Sequence, residues 1–116
     1  MLRVERLEIG AVTALRAAGE IDGEGANALR SAVETCVADG RYHLSLDMSK
    51  VEYLSCMGAG AMLECLSLLQ RYHGDLKIAA LNIQSRRLLS TMGLGHVFES
   101  YESETSAVNG YKQEAA

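Results

Sequence analysis

The stretch Val51-Glu-Tyr-Leu-Ser-Cys-Met-Gly-Ala-Gly-Ala-Met-Leu63 decides the fold of this chain, because it joins a strand to a helix through a tight turn. An apolar, strand-like run from His43 to Met48 precedes it, and a long amphipathic pattern follows it. Ser55 is expected to cap the helix, since its hydroxyl can accept a hydrogen bond from a free N–H group of the first turn.

Small residues at positions 58, 59 and 60 leave the first turn of this helix almost bare. A helix start carries partial positive charge and unpaired N–H groups, so a bare one can hold a small anion or nucleotide, or let another protein approach closely. The same small side chains also allow the helix to pack tightly on a neighbouring strand. The Gly-x-Gly spacing does not decide between these roles.

The composition describes one globular domain. A chain of 116 residues, nearly half of them hydrophobic, can bury a single core. Its net charge of −4 argues against nucleic acid or an anionic membrane as the main partner. The sequence has no apolar run of membrane-spanning length and no secretory signal, so we expect a cytoplasmic protein with no membrane insertion.

Neither a metal site nor a catalytic centre is indicated by the cysteines and histidines. Cys36 and Cys65 fall on apolar helix faces and are expected to be buried, whereas Cys56 is expected to be exposed. A reactive thiol at Cys56 would need a base, but His43 begins the preceding strand and His73 lies at the far end of the following helix. We therefore expect no enzyme activity, no metal and no cofactor.

Hydrophobic periodicity predicts elements in the order β-β-α-β-α-β-α-β-α. The predicted strands cover residues 2–9, 12–18, 42–48, 76–81 and 97–101, and the predicted helices begin at 22 or 23, 57, 83 and 103. A hairpin followed by strand–helix alternation predicts an α/β fold with a mixed sheet of four to five strands and helices mainly on one face. One domain is expected over 1–116, with its core at about 3–108 and a frayed tail at 113–116.

Two further details follow from this assignment. The second helix is expected to run from Met57 to His73 and to bury a stripe that consists of Met62, Cys65, Leu66, Leu69 and Tyr72. Asp22 can cap the first helix and Asn82 the third, and the strand that precedes Asn82 is apolar enough for a central place in the sheet.

Three blocks of this sequence together resemble a known family. They are Tyr53-Leu-Ser-Cys-Met-Gly-Ala-Gly60, Gly19-Glu-Ile-Asp22, and Leu76-Lys-Ile-Ala-Ala-Leu-Asn-Ile83 with the following Arg87-Leu-Leu89 and Met92-Gly-Leu94. They resemble, in order and spacing, the signature turn, the end of the second strand and the next strand and helix of STAS domains, the family of bacterial anti-sigma factor antagonists. The resemblance extends from about residue 3 to about residue 108.

This resemblance implies a protein-binding module that acts by partner switching. In the family, the unphosphorylated domain binds an anti-sigma factor that is also a serine kinase, and the kinase then phosphorylates the second hydroxyl residue of the signature turn. Phosphate adds nearly two negative charges to the contact surface and disrupts docking. The matching partner-binding positions here are Asp22, Gly23, Glu24, Ser55, Cys56, Met57, Gly58, Ala59 and Gly60.

The signature turn departs from the family pattern at the phosphoacceptor. With Gly58 and Gly60 aligned, the family's Asp falls on Ser55, its first Ser on Cys56 and its phosphoacceptor on Met57. A thioether has no hydroxyl and cannot accept phosphate.

Three outcomes stay open: a permanently competent antagonist, a STAS binding module in a transport or sensory complex, or a phosphosite displaced to Ser55. Met57 itself can lie in the contact surface or tuck into the core. A monomer is the default expectation, although the exposed hairpin face could pair with a second copy.

Overall fold

The computed structural model describes residues 1–115, and its element order agrees with the predicted one. The elements are β1 (Arg3–Ile9), β2 (Val12–Ile21), α1 (Gly23–Ala38), β3 (His43–Leu54), α2 (Cys56–Gln70), β4 (Asp75–Ala79), α3 (Ile83–Thr91), β5 (Ser100–Tyr101) and α4 (Glu104–Ala115). The last helix ends at Ala115 and Ala116 lies outside the described residues, so the frayed tail expected at 113–116 stays a prediction.

The strands form one mixed sheet in the order β1-β2-β3-β4-β5. β1 and β2 are an antiparallel hairpin, and each later neighbouring pair is parallel. The carboxyl ends of β2, β3 and β4 therefore meet at one edge of the sheet, and the helices α1, α2 and α3 all start close to that edge. This edge brings the predicted site residues together.

Helices cover the two faces of the sheet unequally, as predicted. Inward-facing side chains of β3, such as Leu44 and Leu46, belong to the main core together with residues of α1, α2 and α3. On the opposite face, α4 contributes Val108 and Tyr111 to a small second cluster around Val12. The strand alternation explains this arrangement, since successive side chains point to opposite faces.

β3 is longer than the sequence indicates. Its predicted end at Met48 is wrong, because pairing with β2 continues as far as Leu54. The polar residues that resemble a strand end lie inside the strand, where Asp47 Oδ1 accepts a hydrogen bond from Ser49 N at 3.0 Å, close to an irregularity in the β2–β3 register. Consequently α2 begins directly after β3, at Cys56.

The remaining boundaries shift for local reasons. α2 ends at Gln70, and Tyr72, predicted to be buried in its apolar stripe, is 44% exposed. That prediction is wrong because the chain leaves the helix before this residue, and the ring stacks instead on Tyr42 with centroids 4.7 Å apart. β5 is shorter than predicted, since pairing with β4 is confined to Ser100 and Tyr101.

Lys77 is a buried cation in the apolar strand β4. Its side chain is fully buried, and Nζ contacts the carboxylates of Glu99 at 2.6 Å, Glu114 at 2.7 Å and Asp75 at 3.4 Å. Burial by itself lowers the pKa of an ammonium group, but the hydrogen bonds to Glu114 and Glu99 outweigh it, so the pKa of Lys77 lies above its ordinary value. The contact with Glu114 holds α4 on the face of the sheet opposite the main core.

Candidate functional site

The candidate site is built on the starts of α1 and α2 at the carboxyl edge of the sheet. Asp22 caps α1, because its Oδ1 accepts a hydrogen bond from Gly25 N at 2.8 Å. Ser55 caps α2 in the same way, with Gly58 N donating to Ser55 Oγ at 3.0 Å. Both capping predictions are confirmed. The hydrogen bond from Gly25 N also lowers the pKa of the Asp22 carboxyl group, so this residue is a carboxylate at neutral pH.

The two helix starts are held together through the end of β2. Ser55 N donates to Ile21 O at 3.0 Å, and Ser55 Oγ donates to the same oxygen at 3.2 Å. A Cβ atom at Gly58 would clash with Ile21 O, and one at Gly25 would clash with Glu20 O. Each glycine therefore allows its helix to approach the β2 backbone, so tight packing explains the small residue at position 58.

Position 60 differs from position 58. A Cβ atom at Gly60 would meet nothing within 4 Å outside its own helix, so close packing does not require glycine there. Ala59 is buried like Gly58, whereas Gly60 is half-buried. Of the three small residues, Gly58 and Ala59 are buried inside the turn, and Gly60 adds no side chain to its outer side.

Met57 lies on the surface beside Gly23. The residue is 67% exposed, which excludes the alternative that it tucks into the core. A Cβ atom at Gly23 would lie 3.4 Å from Met57 Cε and 3.6 Å from Sδ, so the thioether lies next to the start of α1. Met57 thus lies where the two segments that the sequence analysis assigns to partner binding meet.

Exposed apolar and acidic groups lie on these two segments and beside them. Cys56 is exposed, as predicted, and the Tyr53 ring is 46% exposed at the end of β3. Four carboxylates lie on the same segments or next to them: Glu20, Asp22, Glu24 and Glu52. Within residues 1–115, no lysine or arginine forms an ion pair with any of the four. The two segments and their neighbours therefore carry exposed apolar side chains together with carboxylates.

The start of α3 reinforces the edge, and the sequence analysis found only part of this arrangement. Asn82 caps α3 as predicted, accepting from Ser85 N at 2.8 Å, and its Nδ2 also donates to Val51 O at 3.1 Å. Gln84 makes two hydrogen bonds with the backbone of Leu54, accepting from its N at 3.0 Å and donating to its O at 2.8 Å. No local pattern indicates Gln84, because its partner lies on a strand that was predicted to end earlier.

Neither His43 nor His73 lies beside Cys56, where a base for nucleophilic catalysis would have to be. His43 lies at the opposite end of β3, with its ring edge-on to Tyr111 at 5.4 Å between centroids. His73 follows the far end of α2 and adopts a left-handed backbone conformation with φ of 60°. The carboxylates of Asp75, Glu99 and Glu114 form a cluster elsewhere, and the ammonium group of Lys77 already lies among them.

Comparison with known proteins agrees with this fold. The family model for the STAS domain matches residues 3–107, so the chain belongs to the STAS domain family. An anti-sigma factor antagonist from Mycobacterium paratuberculosis has a similar structure, with a TM-score of 0.84 and 26% identity over 95% of this chain and 93% of that one. Within residues 1–115, no helix is long and apolar enough to cross a membrane.

Two more distant structures show the same fold. The anti-sigma factor antagonist SpoIIAA in its unphosphorylated form superposes with a TM-score of 0.82 at 16% identity, over 96% of this chain and 97% of that one. A sulfate transporter family protein from Wolinella succinogenes superposes with a TM-score of 0.80 at 14% identity, over 92% of this chain and 89% of that one. The fold is therefore that of anti-sigma factor antagonists, and it also occurs in a protein of a transporter family.

Proposed function

We propose that this protein is a non-enzymatic anti-sigma factor antagonist that binds an anti-sigma factor of the serine-kinase type in a cytoplasmic partner-switching pathway. Its docking surface consists of the solvent-facing parts of residues 22–25 and 55–60. The observation that carries this proposal is the proximity of exposed Met57 to Gly23, which brings the two segments together on one surface. The similarity to the mycobacterial antagonist supports it.

The composition of the docking surface suits a protein partner. A flexible, exposed thioether at its centre can adapt to an apolar pocket on the partner. The carboxylates of Asp22 and Glu24, which form no ion pair within residues 1–115, favour a basic surface around that pocket and increase the rate of encounter at low salt.

Regulation by phosphate at the usual family position is not available to this chain. Met57 occupies that position and offers no hydroxyl group, so the domain stays competent to dock when the kinase is active. A displaced phosphosite at Ser55 is the alternative. Its Oγ accepts from Gly58 N and donates to Ile21 O, so phosphorylation there would have to break the cap of α2.

Intact mass and co-elution test the proposal in the same samples. The protein and its Ser55→Ala variant are incubated with ATP and each serine-kinase anti-sigma factor encoded in the same genome. We expect a stable complex with at least one kinase and no added phosphate. A gain of one phosphate that the Ser55→Ala variant loses would establish the displaced site instead. Absence of both complex and phosphate would reject the sigma pathway.

A second candidate function is that of a STAS binding module in a transport complex. The structural similarity to the sulfate transporter family protein favours this alternative. It shares the prediction of a protein-docking surface but requires a partner other than a serine kinase. A complex with a kinase in the co-elution experiment would exclude it.

A further inference from the structure

The methionines of this chain differ sharply in exposure. Met48 and Met62 are buried, at 1% and 0%, Met92 is 38% exposed, Met57 is 67% exposed and Met1 is 85% exposed. Oxidation of a thioether requires that the oxidant reach the sulfur, so susceptibility follows exposure. Among the methionines that follow Met1, Met57 is therefore the one that a dissolved oxidant reaches most easily.

The thioether of Met57 also lies beside another segment of the chain. A Cβ atom on Gly23 would stand 3.4 Å from Cε and 3.6 Å from Sδ, so the sulfur lies next to the start of α1. Oxidation places a polar oxygen on this sulfur, where an apolar group now lies. The change therefore alters the surface at the point where the starts of α1 and α2 meet.

We propose that Met57 is a redox-modification site at which hydroperoxides switch the docking surface off. The inference rests on the proposed function, because it names the regulation of the same surface. In the reaction the sulfur lone pair attacks one oxygen of the hydroperoxide, an S–O bond forms and the O–O bond breaks. The departing oxygen takes the proton of the transferred hydroxyl group and leaves as water or an alcohol. Sulfur loses the two electrons that the peroxide gains.

The chemistry has the properties of a switch. The sulfoxide turns a flexible apolar side chain into a polar one at the centre of the surface, and methionine sulfoxide reductases reverse the change. The modification acts on the residue that replaces a hydroxyl, so this surface responds to peroxide and not to a kinase.

The test compares the full-length protein with its Met57→Leu and Met92→Leu variants after limited treatment with hydrogen peroxide. Dithiothreitol is then added to reverse oxidation of the Cys56 thiol. Peptide mapping by mass spectrometry assigns the added oxygen to individual methionines, and an amide NMR spectrum reports on Gly23. Binding is measured to the serine kinase identified by co-elution, before and after treatment with methionine sulfoxide reductase.

We expect Met57 to gain oxygen before Met92, and the Gly23 amide resonance to shift. Oxidised protein should bind about tenfold more weakly, which corresponds to ~1.4 kcal/mol, and the reductase should restore binding. Peroxide should leave the affinity of the Met57→Leu variant unchanged and should weaken that of the Met92→Leu variant as in the parent protein.

Two results would overturn the inference: oxidation of Met92 before Met57, or unchanged binding by protein fully oxidised at Met57. If the unoxidised protein binds no serine kinase, the proposed function fails on its own. The modification site is then judged by the order of oxidation and the Gly23 resonance, and an unshifted resonance would reject it.

Discussion

The thioether of Met57 lies beside Gly23, with Cε 3.4 Å and Sδ 3.6 Å from where a Cβ atom on Gly23 would stand. The two residues are 34 positions apart in the chain, at the starts of α2 and α1. Because Met57 is 67% exposed, its side chain lies on the surface where these helix starts meet. A side chain of a different chemistry at position 57 would therefore alter the docking surface without disturbing the core.

The Met57→Ser variant tests whether position 57 is the phosphoacceptor position of this domain. Serine supplies the missing hydroxyl at an exposed site, so we expect a partner kinase to add one phosphate to the variant. The kinase should then release the phosphorylated variant. Intact mass and co-elution with ATP measure both effects. The matched control is Met57→Ala, which removes the thioether without adding a hydroxyl and should stay unmodified. Phosphate on the alanine variant would show that the kinase uses another residue.

The glycines of the α2 start should respond to substitution in opposite directions. Gly58→Ala places a methyl group against the carbonyl of Ile21, and we expect it to reduce the free energy of unfolding by roughly 1–3 kcal/mol. Gly60→Ala meets open space within a helix and should raise stability by up to about 1 kcal/mol, because alanine has the higher helix propensity. Urea denaturation of the two variants measures both changes. Equal effects would contradict the close approach of α2 to β2.

The sequence allows much of this fold and part of the site to be predicted. Residue patterns are sufficient for the element order and for the caps at Asp22, Ser55 and Asn82, because periodicity and capping are local properties. The length of β3 is not local, since its last residues are strand only through pairing with β2. The position of Met57 beside Gly23 cannot be read from the sequence either, because it depends on how two helix starts meet at the sheet edge.

Gln84 should contribute to the rigidity of that edge. The Gln84→Ala variant removes both side-chain hydrogen bonds to the Leu54 backbone, and we expect a loss of about 1–3 kcal/mol, because a partly buried N–H group loses its partner. Hydrogen exchange at the Leu54 amide should become faster. Gln70→Ala, at the exposed end of α2, is the matched control and should leave this amide unchanged. Unchanged exchange at Leu54 in the Gln84→Ala variant would show that this clamp does not form in solution.

The stability of the fold should fall in acid. The pKa of Glu104 is lowered by its hydrogen bond to Arg16, and that of Glu99 by its hydrogen bond to Lys77, both from an ordinary value of 4.5. As pH falls below that value, these carboxylates become protonated in the unfolded chain while they are still ionised in the folded one. The free energy of unfolding therefore decreases. The stabilisation is present above the unfolded pKa and is lost as pH falls through the folded one.

Urea denaturation at about pH 7 and about pH 3.5, on either side of the ordinary glutamate pKa, measures this loss. Glu104→Gln removes one of the two carboxylates. The free energy of unfolding of this variant should therefore fall less between the two pH values than that of the parent protein. A parent protein equally stable at both pH values would contradict the contribution of these two ion pairs to the stability of the fold.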